Sequence, residues 1–131
     1  MLLDTSGLLC MVHRSERQHE LAVSRYDEGT IRLTHNYVLD EFVSLAHARR
    51  FSRQAALDFS ERLINDGEVE TIWVDEVLHR NALALLRARP DKTYSLCDAV
   101  SFVLMRDRGI TEALTTDRHF EQEGLVRLLV P

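Results

Sequence analysis

Glycine placement constrains this chain more than any other feature. Of its five glycines, four stand in one context. Gly29 precedes Thr30-Ile31-Arg32-Leu33-Thr34, and Gly67 precedes Val69-Glu70-Thr71-Ile72-Trp73-Val74. Gly109 precedes Ile110-Thr111-Glu112-Ala113-Leu114-Thr115, and Gly124 precedes Leu125-Val126-Arg127-Leu128-Leu129-Val130. Each closes a polar, helix-like stretch and opens a short β-prone run. Glycine just past a helix can take the left-handed conformation that ends it. The chain therefore reads helix, glycine, strand, four times over, with Leu2-Leu3 as the end of an earlier short strand. Strands alternating with helices predict a parallel sheet covered on both faces. Five strands in 131 residues give an α/β fold, a three-layer α/β/α sandwich with a central parallel five-stranded sheet. We read residues 1–131 as one domain, long enough to bury roughly two-thirds of its unfolded surface. The pattern leaves the strand order open.

The helical stretches carry fitting periods. Leu96, Ala99, Val100, Val103 and Leu104 recur at helical spacing in 96–107, and Val38, Phe42, Leu45 and Ala46 form one stripe in 37–49. Segments 16–28, 53–66 and 76–89 also read as helices, the last stopped by Pro90. Ile72 and Trp73 read as sheet core.

Composition removes several function classes. The formal charge of −5 excludes a strongly basic nucleic-acid-binding tail, though not a local basic patch. Lys92 is the single lysine, so chemistry requiring a buried lysine has one candidate. Cys10 and Cys97 lie far apart, against a cysteine zinc site or a disulfide framework, and a reducing, cytoplasmic setting fits best. The start Met1-Leu2-Leu3-Asp4 lacks the pattern of a signal peptide, and no stretch approaches a membrane span. No glycine-rich phosphate loop occurs, so no nucleotide cofactor is expected.

In open parallel sheets, ligands sit at the carboxyl ends of the strands. Asp4 ends the first strand, Glu41 lies early in the helix after the second, and Asp117 ends the fourth. Asp98 begins the helix 96–107. That helix joins the fourth strand through a tight turn at Gly109, so its start points back to the same edge. Each acid has a plainer reading as a helix cap: Asp4 near Ser6, Asp117 before 118–123, Asp98 three residues after Ser95. Glu41 also suits a first helical turn. Their convergence argues for more. Two carboxylates about 6 Å apart repel by roughly 3 kcal/mol at an effective dielectric of about 20. A hard divalent ion, Mg²⁺ or Mn²⁺, is the natural relief for such a cluster.

These residues resemble the PIN-domain ribonucleases, especially the VapC-type toxins of bacterial toxin–antitoxin pairs. The matching segments are Leu2-Leu3-Asp4-Thr5-Ser6, Leu39-Asp40-Glu41-Phe42, Ser95-Leu96-Cys97-Asp98-Ala99-Val100-Ser101-Phe102 and Leu114-Thr115-Thr116-Asp117-Arg118-His119-Phe120. Their order and spacing run through the whole chain. The resemblance implies Mg²⁺- or Mn²⁺-dependent hydrolysis of RNA that leaves a 3′-hydroxyl and a 5′-phosphate. Asp4, Glu41, Asp98 and Asp117 are then the catalytic candidates. Asp4 and Asp98 are the primary metal ligands, Asp117 supports the same or a second ion, and Glu41 orients the water or binds metal through it. Ser6, Thr115 and Thr116 would hydrogen-bond the carboxylates.

Arginine suits phosphate. Arg14, Arg17 and Arg118 flank the edge as substrate-binding candidates, and Arg49, Arg50 and Arg53 form a second cluster. His119 lies near Asp117 but reads mainly as surface or packing, and His13 and His19 read as structural. Cys97 reads as a buried thiol. By resemblance, an apolar helix of a cognate antitoxin would lie on the hairpin 37–66, which carries Phe42, Leu45, Phe51, Leu57 and Phe59, and a homodimer is expected. A housekeeping RNA-processing or DNA-structure nuclease of the same fold is the alternative. A phospho-accepting signalling domain fits poorly, since Asp4 is followed by Thr5 and the chain ends without the lysine that class needs.

Overall fold

The computed structural model describes residues 1–131. Chain order is β1 (Leu2–Leu3), α1 (Thr5–Val12), α2 (His19–Glu28), β2 (Leu33–His35), α3 (Asn36–Ala48) and α4 (Arg53–Asn65). There follow β3 (Glu70–Ile72), α5 (Glu76–Ala88), α6 (Leu96–Arg108), β4 (Glu112–Leu114), α7 (Arg118–Gln122) and β5 (Val126–Arg127). The strands form one sheet in the order β3-β2-β1-β4-β5, every neighbouring pair parallel. This is the expected three-layer α/β/α sandwich, now with its strand order.

Two adjacent leucines show why the sheet needs two covers. Side chains alternate between the faces of a strand. Leu3 pairs in register with Leu114, and both join a core with Leu8, Phe42 and Leu63 from α1, α3 and α4. Leu2 pairs with Ala113, and both join a second core with Phe102, Met105 and Phe120 from α6 and α7. One strand thus anchors both layers, and all four of these strand residues are fully buried.

β1 occupies the middle of the sheet. The chain winds outward through β2 to β3 on one side, then returns to build β4 and β5 on the other. Such a reversal opens a crevice at the carboxyl ends of the strands flanking it, here β1 and β4. Asp4 and Thr115–Asp117 follow those ends directly.

Several expectations need correction. Trp73 is not sheet core: it is 60% exposed. β3 is an edge strand and its ladder ends at Ile72, so Trp73 falls beyond the cover. Of the five glycines, only Gly109 (φ 65°) and Gly124 (φ 83°) take the left-handed conformation. Gly29 is extended at φ −72°, so the chain leaves α2 without a glycine-specific turn. Helix α2 starts at His19 rather than at residue 16, because 13–18 form turns after α1. The strands are two or three residues long, shorter than the β-prone runs that contain them.

Candidate active site

The site is assembled by the close approach of α1 to β4. A Cβ on Gly7 would lie 1.9 Å from the Leu114 carbonyl oxygen, so only glycine lets the helix rest there. Asp4 N–H donates to that same carbonyl at 3.2 Å. The contact brings Ser6 against the end of β4. Ser6 Oγ accepts from the Thr116 backbone N–H at 3.0 Å and lies 3.2 Å from Thr115 Oγ1. Thr115 Oγ1 in turn donates to Asp4 Oδ2 at 2.7 Å and accepts from Asp117 N–H at 3.0 Å. The hydroxyls of Ser6 and Thr115 therefore tie the first and fourth strands together around one carboxylate. Thr116 contributes backbone groups instead: its N–H to Ser6, and its carbonyl to Arg127 at 3.0 Å.

Asp4 stands at the N-cap of α1 but makes no side-chain cap bond, so capping does not account for it. It is 4% exposed. Burial pushes its pKa up to about 7, the Thr115 hydrogen bond opposes the rise, and the charges of Asp98 and Glu41 add to it. Water removed from a carboxylate leaves its charged form unsupported.

Asp98 does serve as a cap, and more besides. Ser95 and Asp98 form a reciprocal capping box at the start of α6. Asp98 Oδ2 accepts from Ser95 N–H at 3.0 Å, and His119 Nδ1 lies 3.0 Å from the same oxygen. Asp117 caps α7, its Oδ1 accepting from His119 N–H at 2.9 Å, and its Oδ2 lies 3.4 Å from His119 Nδ1. Ligand atoms of Asp98, Asp117 and His119 all lie within 4.8 Å of one another. Asp4 and Glu41 stand outside this tightest group. Glu41 is exposed on α3, with its carboxylate at the Cys97 thiol and its charge felt at Asp4. Cys97 is buried, as expected, and burial drives its thiol pKa far up.

His119 is the residue that the sequence undervalued. Its ring bridges the two aspartates, its Nε2 lies 3.2 Å from Thr93 Oγ1, and Tyr94 packs edge-on at 5.3 Å. A signal was present. An aspartate that caps a helix binds the N–H two or three residues on, which brings residue 119 to Asp117.

Arg14, Arg17 and Arg118 are all exposed. Arg17 lines a cleft that Ser6 and Thr116 share, whereas Arg14 faces a separate groove beside Phe51 and Phe59. Of the second cluster only Arg49 lines the cleft; Arg50 and Arg53 point elsewhere on the surface. A shallow depression of about 550 Å³ follows the acidic outer face of α2 and includes none of the site residues. Chemistry rather than volume therefore locates the site. Carboxylate oxygens held at close range, one of them on a buried group with a raised pKa, form a donor set suited to a hard divalent cation.

Comparison with known proteins points the same way. The PIN domain family matches residues 1–124. Proteins named 23S rRNA-specific endonuclease VapC20, from two Mycobacterium tuberculosis strains, are each 29% identical over 129 residues, covering 98% of this chain and 97% of theirs. The crystal structure of M. tuberculosis VapC20, described as a sarcin–ricin loop cleaving toxin, superposes with a TM-score of 0.88 at 27% identity. That likeness covers 99% of this chain and 98% of the other.

Proposed function

The chain belongs to the PIN domain family, and from that premise we propose that it is an endoribonuclease, the toxin of a toxin–antitoxin pair, acting as one unit over residues 1–131. The observation that carries this reading is the meeting of Asp4, Asp98 and Asp117 at the β1–β4 crevice, in a chain similar along its whole length to a ribosomal RNA endonuclease. A phospho-accepting signalling role loses its footing on the same grounds.

Asp4, Asp98 and Asp117 would hold Mg²⁺ or Mn²⁺ through their carboxylate oxygens. Such an ion supplies a water of lowered pKa and neutralises charge on the phosphoryl oxygens. The protein's own part is positioning. Thr115 and Ser6 fix the Asp4 carboxylate, the capping box fixes Asp98, and His119 holds Asp98 and Asp117 in one orientation. Glu41, exposed at the rim, orients the attacking water. The P–O3′ bond breaks, leaving a 5′-phosphate and a 3′-hydroxyl.

Two partners complete the proposal. A groove of about 500 Å³, lined by Met11, Val12, Phe51 and Phe59 together with Arg14, Asp58 and Arg62, suits an apolar antitoxin helix. A homodimer is the expected assembly, which light scattering at high concentration checks. No helix is long and apolar enough to cross a membrane.

The decisive experiment is cleavage of an RNA hairpin carrying the sarcin–ricin loop, and of unstructured RNA, with Mn²⁺ and with chelator. Mn²⁺-dependent products ending in a 5′-phosphate are expected. Cleavage undiminished by chelator would overturn the metal-dependent mechanism.

A further inference from the structure

We infer that the cleft beside the acids seats a backbone phosphate of the RNA strand, next to the one being cut. The inference rests on the ribonuclease reading and adds a substrate contact to it.

The cleft has a volume of about 220 Å³ and lies between α1, the turn at 13–18 and the end of α3. Ser6, Thr116, Glu16, Arg17, Gln18 and Arg49 line it. Its inner wall is shared with the acidic site, since Ser6 Oγ is 3.4 Å from Asp4 Oδ2 and Thr116 directly precedes Asp117. A strand with one phosphate at the acids therefore has the cleft within its next step.

The charges favour an anion. Glu16 is the only acid lining the cleft, and it is already engaged. Arg49 donates to both its oxygens, at 2.9 and 3.1 Å, and His13 Nδ1 lies 3.7 Å away. Arg17 makes no ion pair and no hydrogen bond to the protein, leaving one uncommitted guanidinium at the mouth. A phosphodiester is an anion built only of acceptors, and it matches that guanidinium. The acids next door also repel the strand, so a cation one nucleotide away offsets that repulsion where it is strongest.

The test measures binding, apart from cleavage. Fluorescein-labelled single-stranded RNA and the sarcin–ricin hairpin are titrated with the protein in Ca²⁺ buffer over a salt series. Arg17→Gln is expected to weaken binding roughly tenfold. Its plot of log affinity against log salt should flatten by about 0.7, the loss of one phosphate contact on a single strand. Arg80→Gln changes charge equally on the far side of α5, where Arg80 pairs with Glu76, and should match the wild type. If Arg17→Gln keeps the affinity and salt slope of a wild type that binds and cuts RNA, the phosphate seat is overturned and the ribonuclease reading stands. If the wild type binds neither RNA, both fall.

Discussion

Asp4 shows at the scale of one residue how a side chain can depart from what stability alone would select. A carboxylate at a helix start ordinarily caps that helix, yet Asp4 leaves α1 uncapped and faces Thr115 in a closed interior. The consequence is a linkage between its proton and the fold. Its pKa rises from 3.8 to about 7 on folding. Between those values the folded chain keeps a proton that the unfolded chain releases. The contribution of Asp4 to stability therefore falls as pH rises through that window and is lowest above about pH 7. Asp4→Asn keeps the size and an acceptor for Thr115 while removing the charge. In chelator at pH 8 the variant should be more stable than the wild type, by up to about 4 kcal/mol if the whole shift is relieved. The gap should close as pH falls toward 4, and metal-dependent cleavage should be lost throughout. Thermal melts across the pH range, beside a cleavage assay, check both halves. A variant less stable than wild type at pH 8 would mean that the charge is supported by groups other than those described. His119 teaches the complementary lesson. A histidine has many structural uses, so its bridge between Asp98 and Asp117 becomes visible only when α6 and α7 are placed together.

At the scale of elements, the ends of α1 and β4 matter most. Gly7 is the one glycine outside the repeated helix–glycine–strand context, and it is the one the site depends on. Its missing side chain sets the α1–β4 distance, and that distance sets the Ser6–Thr115–Asp4 bonds. In Gly7→Ala the added methyl meets a backbone carbonyl that cannot swing aside, so the helix must lift. A loss of about 2–3 kcal/mol is expected, at the upper end for overpacking, together with most of the cleavage activity. A calorimetric Tm and a Mn²⁺ titration would record the two losses; full activity in a folded Gly7→Ala protein would refute the arrangement. Helix and strand types were legible in the sequence because the apolar period changes where each glycine falls. The strand boundaries were not, since a β-prone run continues past the last residue that finds a ladder partner. Trp73 illustrates this: its composition suits a sheet, but β3 has a neighbour on one side only and ends one residue earlier. The convergence of the acids was legible because a tight turn at Gly109 forces α6 and β4 to run in opposite directions. The 4.8 Å grouping around His119 was not, because it depends on where the seven-residue segment 117–123 folds back.

On the scale of the whole molecule, charge ties the fold to the substrate. The net charge is −5, and four of the acids gather at one edge of the sheet. Outside that edge acids and bases nearly balance, and much of the surface charge is spent on ion pairs such as Arg108–Glu70 and Arg89–Glu123. Strand order could not be read from the periodicity, because any winding buries the same leucines. The observed order places β1 centrally, and only then do Asp4 and Asp117 adjoin across neighbouring strands. That geometry concentrates like charge at one edge of the sheet. A divalent ion that binds only the folded state stabilises it by RT ln(1 + [L]/Kd), about 2.7 kcal/mol at a hundredfold excess over Kd. For a chain of this size the corresponding rise in Tm is on the order of 10 °C. The rise should depend on pH in one direction. At pH 5.5 Asp4 is protonated and must release a proton to accept the ion, whereas at pH 8 it is already charged. Mn²⁺ should therefore raise Tm much more at pH 8 than at pH 5.5, and chelator should reverse the shift at both. Asp4→Asn should show a small shift that no longer varies with pH. Scanning calorimetry of wild type and variant at the two pH values separates these outcomes. An equal Mn²⁺ effect at both pH values in the wild type would remove Asp4 from the set of residues that hold the metal.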